Sequence, residues 1–316
     1  MTPVTLISSK PAPQPEDGPP VLFDRRLLAR RRDRAASEFT AYDFLHARAA
    51  DDLLDRVESV SRDFETCLVL GGGGAVGRAL KDRPQARRKI NHLIETDLSP
   101  RMAGLSDQTA VCLDEEKLPV APESVDLVLA CLNLHWTNDL VGALIQINHA
   151  LKPDGFFAGA ILGGSTLTEL RQCLKSVDET DPAPRRVSPF ADTVDMAGLL
   201  SRSGFALPVS DVDRVKARYG NSFVLMRDLR AMGETNALVE RPRTPATKSF
   251  FVKTAQTYSE RFAEADGKVP ATFEIIHFAG WAPHPDQPKP KRPGSAKVRL
   301  ADALGVKEHS SGDSVG

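Results

Sequence analysis

The stretch LVLGGGGAVG, Leu68 to Gly77, runs three apolar residues into four consecutive glycines, and Ala75 to Leu80 then read as the first turns of a helix. A buried strand that stops at a glycine turn and feeds a helix is a nucleotide-cradling device. Glycine lets the backbone take positive φ and approach a ligand without a Cβ clash. The start of the helix then points free N–H groups at that ligand. An ordinary strand–helix turn is the plain alternative, so the order of signals on either side decides the reading.

Downstream, strands and helices alternate. Cys67 to Leu70 reads as the first strand, Asn91 to Thr96 as the second, Val111 to Leu113 as the third and Val125 to Cys131 as the fourth. The fourth is a nearly unbroken apolar run, as in a strand buried on both faces. A helix follows over Asp139 to Ala150, LKPDG (Leu151 to Gly155) reads as its stop, and Phe156 to Leu162 as the fifth strand. Such alternation predicts a parallel sheet with helices on both faces. After Gly163 the rhythm changes. Helices are expected over Thr166 to Val177, Asp192 to Ser203 (capped by Gly204), Ser222 to Met232 and Thr247 to Ala265, an irregular loop at Thr180 to Phe190, and late strands at Ala206 to Val215 and Thr272 to Ala279.

Upstream, Tyr42, Leu45, Ala49, Leu53, Val57 and Val60 recur at three- and four-residue intervals, one apolar stripe on a helix. Before it, Phe23 to Ala36 carries Arg25, Arg26, Arg30, Arg31, Arg32 and Arg34, which read as a solvated basic helix face diluted by Asp24 and Asp33.

The chain has 316 residues, 41% hydrophobic and 26% charged, with a formal net charge of -1. That is an ordinary soluble profile, and nothing global drives it to nucleic acid or membrane. Cys67, Cys112, Cys131 and Cys173 form no CxxC pair and read as reduced, buried small hydrophobes. No run of about 18 apolar residues marks a transmembrane helix, and the first residues lack the apolar core of a secretory signal. A cytoplasmic protein is therefore expected. The expected domains are a disordered segment over 1–21, a helical arm over 22–62, an α/β domain over 63–282 with substrate-side insertions at 163–205 and 216–270, and a polar tail over 283–316.

Gly72, Gly74 and Gly77 satisfy GxGxxG with Asp97 about 20 residues on, so a dinucleotide is possible on those residues alone. A P-loop is excluded because Arg78 and Ala79 replace the required Lys and Ser/Thr. The following segments favour S-adenosylmethionine. Asp97, with Leu98 beside it, ends strand two, where a carboxylate accepts both ribose hydroxyls. Asp114 and Glu115 lie past strand three, placed for the adenine amine, although turn-capping acids are the plain alternative. Gly71, Gly72, Gly73 and Cys131 complete the candidate cofactor set. Asn133, His135 and Trp136 end the fourth strand and should line the mouth of the site. His135 is the candidate catalytic base and Asn133 the orienting group, against a packed histidine as the plain reading.

In this order VLGGGG, TDLSPRM, LDEEKLP, SVDLVLACLNLHW and LKPDG resemble the class I methyltransferases. The resemblance implies an α/β, Rossmann-like sheet of seven strands, the last antiparallel, with helices on both faces plus helical insertions. FDRRLLARRRDRAA, LHWTNDL, ILGGSTLTELRQCL, VSPFADTVDMAGLLSRSGF, DLRAMGETNAL and VPATFEIIHFAGWAPHPDQPKPKRPGSA further resemble the family of mitochondrial complex I assembly factors of methyltransferase fold and their bacterial relatives. BioC-type malonyl-carrier-protein methyltransferases are similar over the cofactor domain.

The assembly-factor resemblance implies a protein substrate, the small Fe–S subunit of NADH:ubiquinone oxidoreductase, modified by arginine hydroxylation. It also implies peripheral association through that assembly partner, and no nucleic acid. The chain departs from the class I pattern at Val69, where an acid usually stands, and at Ala75, where the third glycine does. A malonyl-carrier-protein O-methyltransferase and a non-catalytic assembly chaperone are the alternatives. His277, His284 and Asp286 read as sheet and loop residues, so no metal centre is expected. Glu169 and Glu234, in GGSTLTE and MGETN, are placed to pair with a guanidinium on the substrate wall, or to act as surface caps.

Overall fold

The computed structural model describes residues 21–178, 185–189, 196–288, 302 and 305–306. The chain divides into two units, Met1–Pro283 and His284–Gly316. The expected N-terminal segment, most of the loop from Thr180, the start of the helix at Asp192 and most of the tail lie outside the described residues.

The first unit is built on one sheet of β1 (Phe64–Gly71), β2 (Ile90–Asp97), β3 (Thr109–Cys112), β4 (Val125–Cys131), β5 (Leu151–Leu162), β6 (Ala206–Tyr219) and β7 (Val269–Trp281). The strand order is β3-β2-β1-β4-β5-β7-β6. β1 pairs in parallel with β2 and β4, and β7 runs antiparallel to both β5 and β6. The seven-stranded mixed sheet is the one the class I resemblance implies. Strand order reverses between β1 and β4, so a crevice opens beyond their carboxyl ends.

Ten helices cover it among the described residues: α1 (Arg25–Ala35), α2 (Phe44–Ser59), α3 (Ala75–Lys81), α4 (Pro84–Lys89), α5 (Pro100–Ala103), α6 (Leu140–Ala150), α7 (Thr168–Val177), α8 (Met196–Arg202), α9 (Ser222–Ala231) and α10 (Lys248–Phe262). Two cores follow from the period-two alternation of the strands. Phe156 faces the core built by Leu53 of α2, Leu170 of α7, Leu225 of α9 and Tyr258 of α10. Its neighbour Phe157 faces the opposite core, with Leu144 and Ile147 of α6 and Leu200 of α8. None of the described helices is long and apolar enough to cross a membrane.

LKPDG differs from its expectation. It belongs to β5, with Leu151 opposite Val125 and a register shift before Leu127. The turn chemistry of Asp154 (φ +60) and Gly155 makes a bulge rather than a stop, because the Asp154 N–H donates to Ala282 and Gly155 accepts from Ala282 N–H. The long edge strand β6 is tied to α2 by ion pairs from Arg48 to Asp213 and Arg56 to Asp211, with His277 of β7 3.2 Å from Asp52 between them.

Candidate functional site

Gly71 to Gly74 all take positive φ (+73°, +85°, +54° and +78°), so the chain turns off β1 through four successive left-handed residues before α3 begins. That run is closely packed. A Cβ on Gly71 would lie 2.5 Å from Asn133 Cβ, one on Gly72 3.0 Å from Cys131 Cβ, and one on Gly73 2.6 Å from the ring of Phe39. The loop therefore brings Asn133 and Cys131 from the end of β4, and Phe39 from the arm before α2, onto bare backbone. Val69, in the position of the missing acid, is fully buried in the core.

Asp97, Leu98, Glu115, Asn133 and Gly71 converge on one cleft at the crevice, together with Trp136. Asp97 holds the turn after β2 by accepting from Ser99 N–H at 2.9 Å. Asp114 similarly accepts from Glu116 N–H at 3.0 Å. Both also face guanidinium groups of α1. Arg32 donates to Asp97 through Nε at 3.0 Å and Nη2 at 2.6 Å. Arg25 Nη2 lies 2.8 Å from Asp114 Oδ1 and 2.8 Å from Glu115 Oε1, and its Nη1 donates to Trp136 O at 3.2 Å. Leu28 fills the space between, and the remaining void is about 10 Å³.

The expectation of a solvated basic face is thus corrected. Arg26, Arg30 and Arg34 are exposed, whereas Arg25 and Arg32 turn inward because buried carboxylates await them. Burial opposes the Arg32 charge, but Asp97 more than offsets it and raises its pKa. Burial pushes the Glu115 carboxyl up against the opposing pull of Arg25.

Next to this cleft lies a cavity of about 510 Å³, walled by Leu162, Leu167, Leu170 and Phe273 and reached by Glu234, Thr235 and Asn236. Two segments expected on the substrate wall, GGSTLTE and MGETN, both contribute. Glu169 does not act as expected. Its carboxylate accepts from Thr272 N–H at 3.1 Å and Thr272 Oγ1 at 2.6 Å, which ties α7 to β7.

Glu234 is the polar centre where cavity and cleft meet. Oε2 accepts from Trp136 Nε1 at 3.1 Å and lies 3.3 Å from His135 Nε2. The Leu162 N–H donates to His135 Nδ1 at 3.5 Å, which leaves the Nε2 proton for Glu234. Oε1 has no hydrogen-bond partner, and Arg32 Nη1 lies 3.9 Å from it. Burial opposes the Glu234 charge, but the hydrogen bond from His135 and the nearby Arg32 guanidinium hold its carboxyl below the usual range. Asn133 Oδ1 is likewise buried without a partner. Burial pushes the Cys131 thiol up to about 12, so it packs rather than reacts.

His46 escaped the sequence reading because it sits inside the apolar stripe of α2. Its ring meets Phe39 edge to face at 4.8 Å, and neither nitrogen has a hydrogen-bond partner. Burial pushes it down from 6.5 to about 3. The folded state therefore binds fewer protons here than the unfolded state between those values. The His46 contribution is complete above about pH 6.5 and falls by about 1.4 kcal/mol per pH unit below it. His46→Gln should flatten the loss of stability between about pH 6 and 4 by one proton, measured as urea midpoints across that range. An unchanged slope would put the acid sensitivity elsewhere.

A family model described as a methyltransferase domain matches residues 69–159. The chain is 38% identical to the mitochondrial arginine-hydroxylase NDUFAF5 of Danio rerio, over 89% of each chain. It is 33% identical to the malonyl-[acyl-carrier protein] O-methyltransferase of Methylovorus sp. (strain MP688), covering 90% of this chain and 94% of that one. Among solved structures, the YcgJ protein of Bacillus subtilis superposes with a TM-score of 0.50 at 14% identity, covering 74% of this chain and 99% of that one, a likeness of fold. On the family match and these relatives, the chain belongs to the class I S-adenosylmethionine-dependent methyltransferase superfamily, as an enzyme related to the NDUFAF5 arginine-hydroxylases and the malonyl-carrier O-methyltransferases.

Proposed function

We propose that the chain binds S-adenosylmethionine in the cleft beyond β1, β2 and β4 and modifies an arginine of a protein partner, the small Fe–S subunit of respiratory complex I. The donor set fits the cofactor. Asp97 offers acceptors for the ribose hydroxyls, Asp114 and Glu115 for the adenine amine, and Gly71 to Gly73 present backbone without side chains. When bound, the cofactor supplies an activated sulfonium methyl group.

The observation that carries the arginine assignment is Glu234. It is a buried carboxylate held in its charged form, with a free Oε1 beside a cavity of about 510 Å³. A guanidinium complements that charge through Oε1 in a charge-assisted hydrogen bond. The chain's own Arg32 already approaches it. His135 and Trp136 fix the carboxylate in place by donating to its other oxygen. A malonyl carboxylate at the same point would face a like charge in a low-dielectric pocket. The cavity's apolar walls favour the acyl-carrier alternative, but its polar centre does not.

That the animal relatives are arginine-hydroxylases supports hydroxylation as the reaction. Hydroxylation inserts one atom of dioxygen into the arginine while the other leaves as water, with two electrons from a reductant and two protons, and the residues here bind and orient the guanidinium. Mass spectrometry of the small Fe–S subunit from cells with and without this gene should show one arginine heavier by one oxygen only when the gene is present. One added methyl group would reassign the chemistry, and an unmodified subunit in both would leave the assembly-chaperone reading in its place.

A further inference from the structure

Residues 25, 28 and 32 lie three and four apart on α1 and form its inward stripe. The stripe spans about 10 Å of helix. It sets Arg25 on the acids past β3, Leu28 in the middle and Arg32 on the acid past β2. Beyond the helix the arm continues over the glycine loop, where Phe39 covers Gly73. From end to end the arm follows the path a nucleoside and its substituent would take. Each guanidinium supplies N–H donors where a ribose or an adenine would supply O–H or N–H.

We propose that α1 is a competitor for the cofactor built into the chain, and that Arg25 and Arg32 set the affinity of the nucleoside site by occupying it. The proposal rests on the cofactor reading above. A void of about 10 Å³ holds roughly one water, and ligand pockets run to about 300 Å³ or more. Swinging Arg32 aside leaves Leu28 and Arg25 in place, so the helix itself has to leave.

Its construction permits this. The pairs are exchangeable, because the carboxylates find new donors on the ligand and the arginines find water. Along the outer face, Arg26, Arg30 and Arg34 repeat at four-residue spacing and are exposed. Like charges at that spacing weaken a helix, and the first turn of α1 holds no acid to offset them. The arm is fastened at its start, where Phe23 bridges Leu238 and Asn138 Oδ1 accepts from Leu22 and Phe23 N–H at 2.8 and 2.7 Å, and at its end, where Asp33 accepts from Ser99 Oγ and Ala35, Ala36 and Phe39 pack on Met102. The first anchor can serve as the pivot once the contacts at the end release.

The test uses the full chain and S-adenosylhomocysteine. Hydrogen exchange of the α1 amides should quicken when the wild-type protein is saturated with it, while exchange in β1 and β4 does not. By isothermal titration, Arg32→Gln and the double variant Arg25→Gln/Arg32→Gln should bind it about ten-fold or more tightly than wild type, since apparent affinity scales with the open fraction. Arg88→Gln, exposed on α4, should bind as wild type does, which separates the ion pair from a general change of charge. Slower exchange in α1 on saturation, or weaker binding by Arg32→Gln, overturns the proposal and makes the arm a lid that closes on the cofactor. If the inward variants do not fold, the wild-type exchange result decides alone. Absence of binding by wild type and both inward variants at millimolar ligand overturns the cofactor reading itself, and the competitor with it.

Discussion

Glu234→Gln should lower kcat/KM for modification of the arginine partner by about 10- to 150-fold, the loss of one charge-assisted hydrogen bond worth about 1.5–3 kcal/mol. The amide has the shape of the carboxylate and still accepts from Trp136 Nε1 and His135 Nε2, whose distances of 3.1 and 3.3 Å require no movement. Fold and cofactor affinity should therefore change little, and titration with S-adenosylhomocysteine serves as the control. What disappears is the negative charge that the guanidinium meets. The sign of the effect also discriminates between substrates. If a malonyl carboxylate were the true acceptor, removing a like charge would speed the reaction. Equal or faster modification of the arginine partner would remove Glu234 from the role assigned to it.

The sheet was legible because its signals are local. β4 is a nearly unbroken apolar run, the glycine turn follows β1 directly, and α2 carries a clean apolar stripe. The same locality explains the misreading of LKPDG. Its proline and glycine mark a turn in isolation, and only pairing to Ala282, far along the chain, draws the segment into β5.

In the site, the acids past β2 and β3 were legible from their position after strands, whereas their partners were not. Arg32 is 65 residues from Asp97 and Glu234 is 99 from His135. An arginine-rich helix looks solvated from sequence because the acids that pair with Arg25 and Arg32 lie 89 and 65 residues along the chain. The clue available was spacing, since Arg25, Leu28 and Arg32 share one face. His46 left no such clue, because a histidine in an apolar stripe reads the same whether it packs or takes part in chemistry.

A matched pair of glycine substitutions separates the two demands that the turn after β1 makes on its residues. Gly71 (φ +73°) and Gly267 (φ +79°) have nearly the same left-handed backbone. Alanine at either position bears the strain of that conformation, about 1–2 kcal/mol. Around Gly267 nothing lies within 4 Å of an added Cβ, so strain is the whole cost there. At Gly71 the added Cβ would stand 2.5 Å from Asn133 Cβ and 3.1 Å from the Cys131 carbonyl oxygen. Cys131 pairs with Gly71 across the β1–β4 ladder, so neither strand can withdraw without losing register. Overpacking of that kind adds about 1–3 kcal/mol. Gly71→Ala should therefore cost about 2–5 kcal/mol, a fall in melting temperature of roughly 5–15 °C for a domain of this size. Gly267→Ala should stay near 1–2 kcal/mol. Equal losses in urea unfolding would mean that β1 and β4 have room between their ends. The glycines would then be required only for the turn, and the close approach of Asn133 to the loop would have no part in shaping the site.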